Sequence, residues 1–245
     1  MPKSWDNRGV LTPPLASVTG EARPYWTPAD LPKCPFGLLV CAVCPGAVPR
    51  AVFEALHPAE REYAGTLEGD RHREWTAGRL CLSSALARLS PTRVPLLVRS
   101  SGAPCLPVGI AGSISHKGPL TMALSDRMTR GIGIDVECAE HGDERLAQRV
   151  LTTNERLSLS DLDDEGAAMF VAVHFAAKEA IYKMLSTEEQ LAVDFEDIEL
   201  LAPPLKVMMS TPWAPVSARV HALPTDARVA VFLDGQWVIA AARRD

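Results

Sequence analysis

The chain has 245 residues, of which 47% are hydrophobic and 22% charged; at ~150 residues per domain this is one large unit or two small halves, and disorder is excluded as a description of the whole. With 25 basic against 30 acidic residues, a net charge of −5, it lacks the positive balance that phosphate neutralisation asks for, so no nucleic-acid partner is expected. No stretch approaches the roughly 18 uninterrupted apolar residues of a membrane span, and Met1–Asp6 opens on no apolar signal core, so no membrane partner is expected and the expected compartment is the cytoplasm.

Residues 1–36 carry Pro2, Pro13, Pro14, Pro24, Pro28, Pro32 and Pro35 and read as an irregular lead segment. Leu38–Cys44 reads as a buried strand. Within it Cys41-Ala-Val-Cys44 has redox or zinc spacing, but positions i and i+3 of a strand face opposite sides and no second pair follows, so two packed thiols are expected. The six cysteines, Cys34, Cys41, Cys44, Cys81, Cys105 and Cys138, sit mostly in apolar runs, as buried thiols do in a reducing compartment.

Pro49–Leu67 reads as helix in one or two pieces, with Pro58 in a first turn where its missing N–H costs nothing. His72–Leu89 is a long helix ending before Pro91. Leu96–Arg99, a turn at Ser101–Pro104 and a strand over Gly112–Ser115 follow. Leu120–Ser125 and Gly131–Glu137 are strands around a turn near Asp126–Arg130. Arg145–Leu151 is helical, and Thr152-Thr-Asn-Glu155 is a capping box opening a short helix. Ala167–Leu185 is a second long helix, with strands near Ile198–Leu201, Ala218–His221, Arg228–Leu233 and Trp237–Ala241.

Two echoes link the halves: Leu56–Arg61 with Leu151–Arg156, and Trp75–Arg79 with Phe175–Glu179. Their common order and similar offset suggest a diverged duplication. The expected architecture is α/β (α+β): an N-terminal half over 37–125 and a C-terminal half over 126–245, each a small, mostly antiparallel sheet on a long helix, related by a pseudo-twofold with a ligand cleft between them.

Gly131-Ile-Gly-Ile-Asp-Val-Glu137 carries the chemistry. Strand alternation puts Ile132, Ile134 and Val136 on a core face and Gly131, Gly133, Asp135 and Glu137 on the other. Glycines there would let a ligand approach the backbone, and two carboxylates one residue apart suit a hard cation; an edge strand with a solvated acidic end is the alternative. In Phe175-Ala-Ala-Lys-Glu-Ala-Ile-Tyr-Lys183, Glu179 and Lys183 share a helix face. They are surface decoration unless the helix packs on the acidic strand, where Glu179 completes a three-carboxylate magnesium site and Lys183 reaches a phosphate. Arg73 and Arg79 flanking Trp75, and Ser113-Ile-Ser-His-Lys-Gly118, are candidate anion holders, with solvated side chains as the alternative. No P-loop, nucleophile elbow, zincin or dinucleotide glycine motif occurs.

Gly112–His116, Gly131–Glu137 and Phe175–Lys183, in this order, together with Ala77-Gly-Arg79 and Gly102-Ala-Pro104, resemble the 4′-phosphopantetheinyl transferases of the surfactin-synthetase-activating type, in the branch of enterobactin synthetase component D. The resemblance spans roughly residues 50–200. It implies transfer of the phosphopantetheine arm of coenzyme A to a serine of acyl or peptidyl carrier proteins, with release of adenosine 3′,5′-bisphosphate, by a monomeric pseudo-dimer. It also implies Mg²⁺ on Asp135, Glu137 and Glu179, with Lys183 at the diphosphate. Ser115 and His116 would lie at the 3′-phosphate with Arg73 and Arg79 near, and Lys178 and Gly102, Ala103 and Pro104 would face the coenzyme. Glu155 falls where some members carry a further acid near the metal, or it serves its capping box. Ala103 replaces a frequent lysine, Ala176 a frequent serine and Phe175 a frequent tryptophan. The carrier is expected to dock on an apolar patch within residues 160–200. A metal-dependent diphosphate hydrolase and a non-catalytic coenzyme A-binding module are the other readings.

Overall fold

The computed structural model describes residues 31–43, 46–90, 94–99, 102–127, 129–221, 223 and 226–244; most of the expected lead segment and Cys44 lie outside them. The chain divides into two compact units between Met128 and Thr129.

In the first unit, β1 (Leu38–Val43) precedes α1 (Arg50–Glu54), α2 (Pro58–Ala64) and α3 (Gly69–Leu86), followed by β2 (Ile110–Lys117) and β3 (Leu120–Arg127). Pro58 opens α2, where no N–H is needed, and a capping box holds its start: His57 Nδ1 accepts from Ala59 N, and Glu60 accepts from His57 N at 2.8 Å. α3 covers Gly69–Leu86 rather than His72–Leu89, because the chain tightens at its end, where Leu89 N donates to Leu86 O. The strands form an antiparallel sheet in the order β1-β3-β2. Cys81, Leu82, Ala85 and Leu86 of α3 pack on Val40, Ala42 and Ala123 of that sheet.

The second unit runs β4 (Gly131–Cys138), α4 (Glu144–Val150), α5 (Thr153–Leu157), α6 (Asp164–Met184), α7 (Thr187–Gln190), β5 (Ile198–Leu201), α8 (Leu205–Ser210), β6 (Ala214–Val220), β7 (Asp226–Asp234) and β8 (Trp237–Arg244). Its antiparallel sheet has the order β4-β8-β7-β6-β5. Ala172, Val173, Ala176, Ala177, Ala180 and Ile181 of α6 pack on one face, against Val216, Val229, Val231, Val238, Ala240 and Ala242. Alanines on both surfaces bring the helix close to the strands.

The order β4-β8-β7 repeats β1-β3-β2. The hairpins β2–β3 and β7–β8 both close through two-residue loops, between Lys117 and Leu120 and between Asp234 and Trp237. Each loop opens on a glycine at positive φ, Gly118 at 55° and Gly235 at 56°, where a side chain would be strained. Within each unit the α+β class is as expected: a small antiparallel sheet on a long helix. The strands expected over Leu120–Ser125 and Gly131–Glu137 are both present and do not pair with each other: β3 pairs with β1 and β2 while β4 pairs with β8, and the link between them carries the chain from one unit to the next.

No helix among the described residues is long and apolar enough to cross a membrane. Burial pushes the thiols of Cys34 and Cys41 up to about 12, so both stay protonated near neutrality and sterically closed. Iodoacetamide at pH 8 is therefore expected to leave both unmodified until denaturant is added, as peptide mass spectrometry would show; native-state labelling of Cys41 would contradict the burial.

Candidate active site

β4 is buried along its whole length. Its glycines serve a purpose other than the expected one. A Cβ at Gly133 would stand 1.8 Å from Ala180 O, and one at Gly131 2.2 Å from Met184 O. The missing side chains therefore admit the backbone of α6, and the ligand-access reading is corrected. The same strand face then presents Asp135, 3% exposed, and Glu137, 8% exposed, to the flank of the helix.

That flank carries Glu179 and Lys183, one turn apart. Lys183 Nζ lies 2.5 Å from Asp135 Oδ1 and 4.0 Å from Glu179 Oε2. Burial holds the Glu179 carboxyl above the usual carboxylate range; Lys183 pulls it down, and the charges of Asp135 and Glu137 push it further up. The solvated-decoration alternative is thus excluded: the helix packs on the acidic strand and its charged pair meets Asp135. Among the described residues, however, no three His, Cys, Asp or Glu side chains stand close enough together to hold a metal ion. Asp135, Glu137 and Glu179 share one electrostatic neighbourhood with an ammonium inside it, without a closed coordination shell. The donor chemistry still suits a hard divalent cation, since every ligand would be oxygen.

Three expected residues are placed elsewhere. Lys178 is 0% exposed, and its three donors are all used, on Val150 O (2.7 Å), Glu155 Oε2 (2.7 Å) and Phe195 O (3.0 Å). An ammonium enclosed in this way cannot serve the coenzyme. Glu155 resolves to its capping-box role: it accepts from Thr152 N and Leu200 N, both at 2.8 Å, as well as from Lys178. Burial pushes Lys178 down, opposed by Glu155. His174 stands beside the pair, kept neutral by burial, with Nδ1 2.9 Å from Phe170 O. Arg79 is buried as well; its Nε donates to Leu96 O at 2.5 Å and its guanidinium lies 4.7 Å over the Trp75 ring. Burial lowers it to about 10. Its bond tethers the segment before the turn.

The remaining candidates lie in the first unit. Arg73 donates to Gly118 O at 3.3 Å and pairs with Asp70 at 2.9 Å. It borders a surface cavity of about 690 Å³ with His72 and Asp70. Gly102, Ala103 and Pro104 form the return of a narrow loop in which Arg99 N donates to Ala103 O and Cys105 N to Leu97 O; Gly102 and Ala103 are exposed. Ser115 and His116 are neighbours on β2, so their side chains face opposite sides of the sheet. Ser115 is buried, whereas the His116 side chain is 34% exposed, with Nδ1 3.6 Å from Glu74 Oε2. The sequence reading overlooked Glu74, whose only signal is its place one turn before Gly78 on the sheet-facing side of α3.

Residues 59–125 match the family profile described as the 4′-phosphopantetheinyl transferase N-terminal domain, and residues 131–242 match that of the 4′-phosphopantetheinyl transferase superfamily. The chain is 30% identical over 158 residues to the 4′-phosphopantetheinyl transferase Svp of Streptomyces mobaraensis, covering 61% of this chain and 62% of that protein. It is 34% identical over 129 residues to Npt of Nocardia iowensis, covering 52% and 57% respectively, so the chain spans under two thirds of the length of both. A holo-[acyl-carrier-protein] synthase of Oceanobacillus iheyensis is 35% identical over 91 residues, covering 33% of this chain and 76% of that protein. With the acidic strand and the Lys-Glu helix falling inside the matched segment, the chain belongs to the 4′-phosphopantetheinyl transferase superfamily.

Proposed function

We propose that this protein transfers the 4′-phosphopantetheine arm of coenzyme A to a serine of an acyl or peptidyl carrier protein, in the presence of Mg²⁺, releasing adenosine 3′,5′-bisphosphate. The observation that carries this reading is the meeting of Glu179 and Lys183 of α6 with Asp135 of β4. In the reaction the carrier serine oxygen bonds to the β-phosphorus as the bond to the bridging diphosphate oxygen breaks.

Glu179, held above the ordinary carboxylate range by burial, suits a group that takes the serine proton near neutral pH. Lys183, 29% exposed at its side chain, sits beside Asp135, where its ammonium would supply charge or a proton to the departing 5′-phosphate. Asp135, Glu137 and Glu179 would hold Mg²⁺, which when bound neutralises charge on the diphosphate. The exposed Gly102-Ala103 turn, Arg73 and His116 would contact the nucleotide portion, and the carrier would dock on residues 160–200, where Leu191 is exposed.

Incubation with coenzyme A, Mg²⁺ and an apo-carrier is expected to add the arm to the carrier serine, read by intact-protein mass spectrometry. EDTA should abolish loading and excess Mg²⁺ restore it. Consumption of coenzyme A without a carrier would replace this reading with a diphosphate hydrolase. Binding with neither outcome would indicate a coenzyme-binding module.

A further inference from the structure

The turn of α6 that carries Glu179 is gripped at two points. On the sheet side, Ala180 O fills the space that a side chain at Gly133 would take. On another side, Lys178 donates to Val150 O, the last carbonyl of α4 and without a partner in that helix, to Glu155 Oε2 and to Phe195 O. Successive residues point about 100° apart around a helix, so Lys178, Glu179 and Ala180 each face a different neighbour. The face that α6 lays on the sheet includes Ala172, Ala176, Ala177 and Ala180. Its shallow ridges set the distance between helix and strands more firmly than the rotation of the helix. The first unit holds a similar arrangement. Glu60 accepts from His57 N at 2.8 Å and Leu96 N at 2.7 Å, as Glu155 does from Thr152 N and Leu200 N, and Arg79 of α3 donates to Leu96 O. In both units a buried cation of the long helix is tied to the corner that a capping-box glutamate builds, and in the second unit the residue after that cation is Glu179.

We propose that Lys178 is a positioning residue for the transfer reaction: its three bonds fix the rotation of α6 and thereby the place of the Glu179 carboxylate beside Asp135 and Glu137. The inference rests on the transferase reading and adds to it a residue that, enclosed as it is, touches neither coenzyme nor carrier. The magnitude follows from helix geometry. A side-chain tip lies about 6 Å from a helix axis, so a turn of about 10° moves it by about 1 Å. A misplacement of about 1 Å at the reacting groups can cost about 100-fold in rate. A stabilising role alone would change how much of the protein is folded, whereas a positioning role changes what each folded molecule does.

The test is kcat and KM for coenzyme A with an apo-carrier as acceptor, expressed per folded molecule, the folded fraction being read by circular dichroism under the assay conditions. Lys178→Met keeps an unbranched side chain and removes the ammonium. Glu155→Asp keeps both charges and draws the carboxylate back from its 2.7 Å contact. Both are expected to lower kcat by at least about tenfold with KM for coenzyme A little changed, the pattern of a group that acts on the reacting geometry rather than on binding. Met208→Ala, which empties a buried position on α8, lowers stability by a cavity alone and is expected to keep the wild-type kcat. A smaller fall in kcat overturns the proposal, and where Lys178→Met does not fold, Glu155→Asp decides by the same limit. A KM that rises as far as kcat was expected to fall would make Lys178 a coenzyme ligand and overturns it too, as does a Met208→Ala protein that loses kcat equally. Absence of loading by wild-type protein instead overturns the transferase reading itself.

Discussion

Gly133→Ala is expected to destabilise the second unit by about 3 kcal/mol or more, the upper range for overpacking, and to abolish carrier loading in whatever fraction remains folded. The added Cβ would stand 1.8 Å from Ala180 O and 2.8 Å from Ala180 C, and neither is a flexible side chain that can swing away. Either α6 moves outward along its packed length or β4 is displaced from β8. Both movements separate Glu179 and Lys183 from Asp135, so a small aliphatic change with no charge of its own disables a charged cluster two positions along the strand. Thermal melting should fall by roughly 6–12 °C for a 3 kcal/mol loss in a chain of this size. Gly46→Ala, where nothing lies within 4 Å of the new Cβ, is the matched control and should stay within about 0.5 kcal/mol of wild type. A Gly133→Ala protein that melts with wild type would show that α6 does not rest on the strand as described.

Lys178→Met is expected to cost about 3–5 kcal/mol, because it strands the Glu155 carboxylate without its counter-ion in a buried site. The carboxylate keeps Thr152 N and Leu200 N as donors, but Val150 O and Phe195 O lose theirs. Glu155→Gln is expected to be similarly damaging, since it leaves the ammonium unpaired. The double variant Lys178→Met/Glu155→Gln removes both charges and should recover about 1–3 kcal/mol relative to the sum of the single losses, the coupling expected of direct partners. Urea unfolding of the four proteins measures the cycle. Additive losses would mean that the two charges stabilise the unit independently, against the 2.7 Å contact between them.

The regular elements were legible where local chemistry sufficed. The Thr152–Glu155 capping box, Pro58 at a helix start and the Ile198–Leu201 strand could be read from neighbouring residues. The strand expected near Ala218–His221 begins earlier, at Ala214, and includes Pro215. The structure accommodates it because β5 pairs only with Ser217–Val220 while Pro215 stands opposite Ala230 of β7, so a proline without an N–H meets the uncovered side. The acids of β4 and the Glu179–Lys183 pair were legible as chemistry, and their meeting was a condition that the α6–β4 packing satisfies. The burial of Lys178 and Arg79 was not legible, for one shared reason. A long cation next to a motif reads as a ligand-binding group, yet its fate depends on carbonyl acceptors far away in the chain, Val150, Phe195 and Leu96, which no local spacing announces. The His57–Glu60 box was overlooked because histidine is not among the favoured N-cap residues.

The repeated strand order has an evolutionary implication. β1 and β4 are both edge strands, beside β3 and β8 respectively, but where β4 offers glycines and two acids to its helix, β1 offers Leu38, Val40 and Ala42 to α3. That surface is filled with hydrocarbon and has neither a gap for the helix backbone nor a carboxylate. Under the duplication that the sequence echoes suggest, selection for reactivity would act on a single copy and leave the sister copy to drift toward recognition. Substitutions that retune which substrate is preferred should therefore accumulate in the first half, while those that extinguish turnover outright concentrate in the second.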